Sequence, residues 1–219
     1  MIAKSSAYYP VVAASFDHGL TFPQVASLLP SDQKNWGDRP FLAVGPDGAV
    51  YVTWDYGPNR TSVTYICATA GSCAFATGDL NVVIQRSTDR GKTWGSIIPV
   101  SPGFPASGAD SAPMFVEPSG RIDLTYQGYH ITNTTTYSMD PANTYFTASN
   151  DGGSTWSKPV LLGPPGLTMS LSEWWIDGAF SQASAGNLYA PRVTPGVGAP
   201  ARLSFSTRPA RQGSAPGAI

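Results

Sequence analysis

An eight-residue pattern, Ser-x-Asp-x-Gly-x-Thr-aromatic, occurs three times in this chain of 219 residues. The copies are SFDHGLTF at 15–22, STDRGKTW at 87–94 and SNDGGSTW at 149–156. They begin 72 and then 62 residues apart, which is the spacing of a repeated structural unit. The chain is therefore expected to fold as a series of like units, and the three copies are called the box turns below.

The segments between the box turns also repeat. RPFLAVGPDGAVYVTWDY (39–56) resembles SAPMFVEPSGRIDLTYQGY (111–129), and WIDGAFSQASAGNLYAPRV (175–193) is a looser third copy. The first two copies contain a short apolar strand, a turn with Pro and Gly, and a strand of alternating polarity, in that order. A polar loop, a third strand, a box turn and a fourth strand follow. Helical periodicity is not found.

Four antiparallel strands per repeat predict an all-β fold, a β-propeller of four-stranded antiparallel blades. A β-sandwich is the alternative, although it would not require the same turn chemistry in each repeat. The strands suffice for about three to four blades, so the propeller is expected to be partial. Blades are predicted for residues 1–207 and an irregular tail for 208–219. Open blade edges would favour self-association.

Within each box turn the residue types predict a structural role. The Asp can accept hydrogen bonds from backbone amides of the turn, and the Gly can adopt a left-handed conformation. The Thr can cap the turn, and the aromatic residue is expected to pack against the blade. The residues concerned are Ser15, Asp17, Gly19, Phe22, Ser87, Asp89, Gly91, Trp94, Ser149, Asp151, Gly153 and Trp156.

The box turns resemble the Asp-box, or BNR repeat, of the sialidase-like β-propellers. The resemblance implies a glycoside hydrolase of the exo-sialidase type, or an incomplete part of one. Asp-boxes also occur in propellers without catalytic activity. The alternative is therefore a propeller that binds glycans or proteins through its loop-rich rim, and whether the chain is an enzyme stays open.

The resemblance also implies catalytic residues. Sialidases hold the substrate carboxylate with three arginines and use a Tyr nucleophile paired with a Glu, and an Asp serves as acid/base. Glu173 and Arg192 follow the third box turn in the order in which the family has its Glu and one Arg. The alternative is that Glu173 is a rim charge and that Arg192 pairs with a neighbouring carboxylate. The other members of the site are not found, so we expect the isolated chain to be inactive.

The long loops on the rim opposite the box turns supply candidate substrate-binding residues. The charged candidates could instead form ion pairs between blades, and the tryptophans could wedge between blades rather than stack on sugars. These candidates are Asp38, Arg39, Asp110, Tyr129, Trp174 and Trp175.

Composition excludes several classes of function. A net charge of -1 does not favour nucleic acid, and no stretch of about 18 apolar residues could span a membrane. No motif for a metal or a cofactor is found, so a glycan or glycoconjugate is the expected partner. Cys67 and Cys73 could form a loop-closing disulfide or be two unrelated thiols. A disulfide and the family resemblance would favour an extracellular or periplasmic location, although the first residues do not read as a signal peptide.

Overall fold

A computed structural model describes the chain over thirteen ranges. They are residues 2–4, 10–29, 36–57, 64–69, 72–77, 81–100, 107–110, 112–133, 138–139, 143–162, 181–182, 188–196 and 199–208. The secondary structure in these ranges is all β. No helix there is long and apolar enough to cross a membrane.

The described residues contain eighteen strands. In chain order they are β1 (Ile2–Lys4), β2 (Val11–Ala14), β3 (Gln24–Ser27), β4 (Trp36–Val44), β5 (Val50–Gly57), β6 (Thr64–Thr69), β7 (Ser72–Thr77), β8 (Asn81–Ser87), β9 (Ile98–Pro99), β10 (Ser107–Asp110), β11 (Met114–Val116), β12 (Ile122–Asn133), β13 (Ser138–Met139), β14 (Asn143–Ser149), β15 (Val160–Leu161), β16 (Ser181–Gln182), β17 (Leu188–Gly196) and β18 (Ala199–Arg208).

The strands pair antiparallel in five sheets. Sheet I contains β2 and β3, and sheet II has the order β4-β5-β8-β9. Sheet III has the order β10-β12-β14-β15, with β11 and β13 also paired to β12, and sheet IV has the order β16-β17-β18. A small sheet, β1-β6-β7, joins residues near the N-terminus to the hairpin at 64–77. The described residues do not form a closed propeller.

The two repeats that the sequence predicts in full correspond to sheets II and III. In each, the box turn joins the third strand to the fourth, as the pattern predicts. Two features differ from the prediction. The polar loop expected between the second and third strands of the first repeat contains the hairpin β6–β7. Strand β12 runs on to Asn133 because β10 and β13 pair with its second half. Strand pairing of the rim segments depends on distant partners, which local sequence pattern does not reveal.

Strand β5 is buried on both faces, and this burial holds three sheets together. Towards sheet I, Val52 and Trp54 join a cluster with Leu28, Leu29 and Val83. The opposite face of sheet II packs against sheet III in a second apolar cluster. Its buried members are Ala49, Tyr51, Val82, Ile84, Val100, Ala112, Ile122, Leu124 and Tyr126.

A buried hydrogen bond also joins sheets II and III. The hydroxyl of Thr53 donates to the carbonyl oxygen of Ala112 at 2.6 Å. On the far face of sheet III, Arg121 pairs with the fully buried carboxylate of Asp123, with 2.9 Å between Nε and Oδ1. The Thr53 hydrogen bond thus adds a directional polar contact to the apolar cluster between sheets II and III, and such contacts help to fix how neighbouring sheets align.

The same hydrogen bonds occur in all three box turns. In the second turn, the Ser87 hydroxyl donates to Asp89 Oδ1 at 2.8 Å and accepts from the Gly91 amide at 2.8 Å. The Thr93 amide and hydroxyl donate to the two oxygens of Asp89, at 2.8 and 2.6 Å. The other two turns repeat these bonds within 0.1 Å. The carboxylate is thus occupied by its own turn.

The third box turn lies against sheet II. Gly152 has a φ of 71°, and a Cβ added there would lie 2.8 Å from Arg86 Nη1. Arg86 in turn forms an ion pair with Asp47 at 3.0 Å and lies over the ring of Tyr51. The equivalent residues of the other turns, His18 and Arg90, also have positive φ angles. Glycine at 152 therefore provides space beside Arg86 in addition to adopting a positive φ without strain.

The aromatic residues of the box turns differ in burial. Trp94 packs against the cluster between sheets I and II, and Trp156 packs against the cluster between sheets II and III. Each tryptophan thus contacts the interface between its own sheet and the preceding one. Phe22 was expected to pack in the same way, but its side chain is 55% exposed. The expectation is wrong for Phe22 because no described sheet packs on that side of sheet I.

We predict that the box turns make stability depend on acid pH. The Thr93 hydroxyl, the Thr93 amide and the Ser87 hydroxyl donate to Asp89 and lower its pKa from 3.8 to about 2. Between these values the unfolded chain binds more protons than the folded chain, so stability is full above pH 3.8 and falls as the pH approaches 2. Thr93→Val should raise the pKa of Asp89 and weaken this pH dependence, measured by urea unfolding from pH 7 to pH 2.

The matched control for this experiment is Thr88→Val. Thr88 lies in the same turn but does not donate to Asp89. Its substitution should leave the pH dependence of unfolding unchanged. An identical pH profile for Thr93→Val and the wild type would contradict the assigned role of the hydroxyl.

A second prediction concerns the contact between Gly152 and Arg86. Gly152→Ala should lower the free energy of unfolding by about 1 kcal/mol, because Arg86 must leave Asp47 and Tyr51 to make room. The same change in an Arg86→Ala background should cost less, since the obstructing guanidinium is gone and only the strain of alanine at a positive φ remains. Urea unfolding of the two single variants and the double variant measures this coupling. Additive effects would mean that Arg86 does not set the requirement for glycine.

Candidate functional site

The two ends of sheet II differ in character. The turn at 45–48 joins β4 to β5 and is closed by the Gly48 amide donating to the Gly45 carbonyl at 3.0 Å. Asp47 of this turn pairs with Arg86, which lies beside the box turn at the end of β8. Turn and box turn therefore share one rim. The opposite rim begins at the first residues of β4, where Asp38 and Arg39 lie.

The start of β4 packs against the core between sheets I and II. Gly37 is buried, and a Cβ added to it would lie 2.8 Å from Pro10 Cδ and 3.0 Å from Trp54 Cδ1. Any larger residue would push the strand off the indole ring. The close approach at Gly37 thus fixes the backbone immediately before Asp38.

A β-bulge interrupts β4 directly after Asp38. From Val44 to Phe41, β4 pairs with β5 in one unbroken register, which begins with Val44 opposite Val50. If that register continued, Arg39 would lie opposite Asp55. Instead, Asp38 lies opposite Asp55, so β4 contains one extra residue. Arg39 has a φ of 49°, and its amide donates to Asp38 Oδ1 at 2.8 Å. Bulges commonly redirect side chains next to active sites. Here the backbone amide at the bulge orients one oxygen of the exposed Asp38 carboxylate, and the next residue in the chain is an arginine.

Asp55 is a carboxylate that the sequence analysis did not single out. It lies near the end of β5 directly opposite Asp38, and only 2% of it is exposed. Like charges placed opposite each other across a strand pair are unfavourable. Asp38, Arg39 and Asp55 each make further contacts within the fold. Asp55 lies opposite Asp38 because of the bulge in β4. No pattern in the sequence indicates this bulge, so the pairing could not be predicted.

The chemistry at this rim suits polar ligands. An exposed carboxylate accepts hydrogen bonds from hydroxyl groups, and a guanidinium donates to carboxylates in bidentate fashion. The part of the chain that the structure describes has no group of three or more His, Cys, Asp or Glu side chains placed to hold a metal ion.

The other predicted rim residues are described only in part. The backbone of Asp110 ends β10 opposite Gln127, and Tyr129 lies opposite Gly108 in the same pairing. Strand β10 also approaches β5 and β8 of sheet II. Asp110 and Asp38 thus occupy corresponding places at the rim of neighbouring sheets.

The predicted catalytic pair is not assembled within the described residues. The backbone of Arg192 lies in β17 opposite Ser204. Glu173, Trp174 and Trp175 lie outside the described residues. The assignment of Glu173 and Arg192 stays a prediction.

The two cysteines face each other in the backbone pairing of β6 and β7. Cys67 and Cys73 are direct cross-strand partners, with a register shift immediately beyond them. Their side chains lie outside the described part, and no disulfide is seen among the described residues. The argument from a cysteine pair to an oxidising compartment is therefore not supported.

Comparison with known proteins gives a likeness of fold. No protein-family model and no curated protein sequence matches the chain. Among solved structures, a Hadza microbial sialidase is similar with a TM-score of 0.55 and 18% identity, over 78% of this chain and 35% of that one. An α-L-arabinanase of Penicillium chrysogenum complexed with arabinobiose is similar with a TM-score of 0.53 and 16% identity, over 92% and 55%.

A polysaccharide lyase, an ulvan lyase, is also similar, with a TM-score of 0.54, 15% identity and coverage of 90% of this chain and 46% of that one. These neighbours are β-propeller enzymes, and at such identities the similarity concerns the fold alone. The chain spans about a third to about half of the length of these solved structures. Its antiparallel four-stranded sheets are therefore of the type that propeller enzymes use as blades.

Proposed function

We propose that this protein recognises glycans through the rim that carries Asp38 and Arg39, as part of a sialidase-like propeller of the exo-sialidase type. The observation that supports this most directly is the bulge after Asp38. It places two oppositely charged residues, Asp38 and Arg39, in succession at the rim away from the box turns, with the Asp38 carboxylate accepting from the Arg39 amide. Such a pair can bind a sugar that carries both a carboxylate and hydroxyl groups.

Two further observations support the proposal. The box turns resemble the Asp-box in their residues, and their hydrogen bonds repeat in the same way in all three copies. The solved structures that are similar in fold include proteins named as a sialidase, an arabinanase and an ulvan lyase. A secreted or periplasmic location would follow from a glycan substrate outside the cell.

The catalytic part of the proposal rests on Glu173 and Arg192. Glu173 would activate a nucleophile, and Arg192 would contribute to holding the substrate carboxylate. Asp110, Tyr129, Trp174 and Trp175 would line the substrate on the same rim.

The second candidate function is binding without catalysis. It is favoured by the box turns themselves, because Asp-boxes also occur in propellers without catalytic activity. Glycan binding and hydrolysis are separable by experiment, so the two candidates make different predictions.

The first test is glycan binding measured by saturation-transfer NMR and calorimetry, with a sialylated and a neutral oligosaccharide. We expect the sialylated ligand to bind more tightly, and Arg39→Ala to weaken its binding at least about tenfold, since a charged hydrogen bond is lost. Binding of neither ligand, or equal binding by Arg39→Ala and the wild type, would contradict the proposed site.

The matched control is Arg90→Ala. Arg90, like Arg39, has a positive φ, of 63°, but it lies in a box turn at the opposite rim. Its substitution should leave glycan affinity unchanged. A fluorogenic sialoside assay then separates the two candidates, because turnover that is lost in Glu173→Gln would indicate catalysis, and binding without turnover would indicate a binding protein.

A further inference from the structure

The first box turn exposes three large apolar side chains to solvent. Phe16, Leu20 and Phe22 are 56%, 84% and 55% exposed. All three belong to one eight-residue turn, so they lie at one place on the surface of the protein. Exposed apolar side chains that cluster in this way are typical of interaction surfaces. We call these three residues the apolar tip.

The three copies of the turn provide an internal comparison for Phe16 and Leu20. These residues occupy the second and sixth positions of the pattern, and both positions are exposed in all three turns. In the other two turns, the residues at these positions are polar, namely Thr88, Lys92, Asn150 and Ser154. The turn therefore forms without apolar residues there, and no described sheet covers these positions. Neither the turn nor packing between sheets explains why Phe16 and Leu20 are apolar.

The apolar tip lies at the rim opposite Asp38 and Arg39. Pro10, which directly precedes β2, approaches the start of β4, where its Cδ would lie 2.8 Å from a Cβ added to Gly37. Strand β2 therefore begins near the rim that carries Asp38, and the box turn that follows β2 lies at the other end. A molecule bound at the tip would leave the rim with Asp38 free.

The first box turn forms hydrogen bonds to its own backbone amides. The amides of Asp17 and Gly19 donate to the Ser15 hydroxyl at 3.5 and 2.8 Å. The amides of Leu20 and Thr21 donate to the carbonyl oxygen and to Oδ1 of Asp17, at 3.4 and 2.9 Å. The hydrocarbon region of a lipid layer offers no hydrogen-bonding partner to a backbone amide. A turn that already satisfies these amides therefore loses little when its apolar side chains enter lipid.

The size of the apolar tip distinguishes a lipid surface from a second protein. A stable protein interface buries roughly 800 Å² on each partner. A fully covered aromatic side chain buries roughly 150–250 Å², so three side chains of this size stay below that area. A lipid surface needs no complementary shape, because each apolar side chain that leaves water contributes by itself. The tip is therefore better suited to lipid than to a dimer contact.

We propose that the apolar tip inserts into the surface of a lipid layer and attaches the protein to it peripherally. Phe16, Leu20 and Phe22 enter the boundary between headgroups and acyl chains, where apolar residues of peripheral proteins lie. The net charge of the chain is -1, so the attraction is apolar and does not require anionic lipid. The rim with Asp38 and Arg39 then faces away from the lipid.

Flotation with vesicles of pure phosphatidylcholine tests this proposal. The wild type should float with the vesicles, and high salt should not release it, since exposed charges are screened but apolar contacts are not. The double variant Phe16→Asn/Leu20→Ser carries the residues of the third turn at these positions, so the fold of the turn should persist. Its partition coefficient should be at least about tenfold lower, because two apolar side chains are lost.

Two matched controls use other parts of the chain. Val160→Ser removes a side chain that is 57% exposed on β15, outside the tip, and should leave vesicle binding unchanged. The double variant Thr88→Phe/Lys92→Leu gives the second box turn the types of residue found in the first, and should strengthen vesicle binding. Circular dichroism and urea unfolding verify that each variant folds.

Three results overturn the proposal. The first is a wild type that does not float, and the second is equal flotation of the wild type and Phe16→Asn/Leu20→Ser. The third is binding that needs phosphatidylserine in the vesicles and is lost in high salt. Sedimentation velocity tests for a second copy at the tip, and self-association that this variant abolishes, without vesicle binding, also overturns the proposal. None of these results depends on glycan binding.

Discussion

Burial of the central strand β5 on both of its faces is the constraint on which the rest of the described structure depends. A sheet with apolar side chains on both faces needs both faces covered, and here two neighbouring sheets cover them. Tyr51 faces sheet III while Val52 and Trp54 face sheet I, and all three are almost fully buried. Because these side chains alternate along one strand, sheet II lies between sheets I and III.

The box turns illustrate how a small polar network supports this apolar stack. Each Asp is held by its own turn, which lowers its pKa to about 2 and leaves it charged at neutral pH. Because both oxygens of the carboxylate accept hydrogen bonds within the turn, the turn holds one conformation and positions the aromatic residue that follows it. Trp94 and Trp156 extend two different interfaces in this way. Repetition of one turn therefore produces repetition of one kind of interface.

The rim with Asp38 and Arg39 depends on the same core. Gly37 allows the strand to lie against Trp54, and the bulge after it places Asp38 opposite Asp55. A polar site at this place is supported by two packed sheets, so its side chains are held by strands rather than by a free loop. This arrangement is common where a rigid scaffold carries binding residues at its edge.

The sequence by itself determined the all-β class, the repeated four-strand unit, the turns and the hydrogen-bonding residues of the box turns. These features depend on contacts within a few residues, and alternation, Pro-Gly turns and the spacing of Ser, Asp and Thr encode such contacts directly. Only the tertiary structure decided that Phe22 is exposed, that Asp55 faces Asp38, and that the segment at 64–77 pairs with β1. Each of these depends on whether a distant sheet or strand is present and in which register it pairs. Such long-range packing is a property of the whole stack, and no local pattern records it.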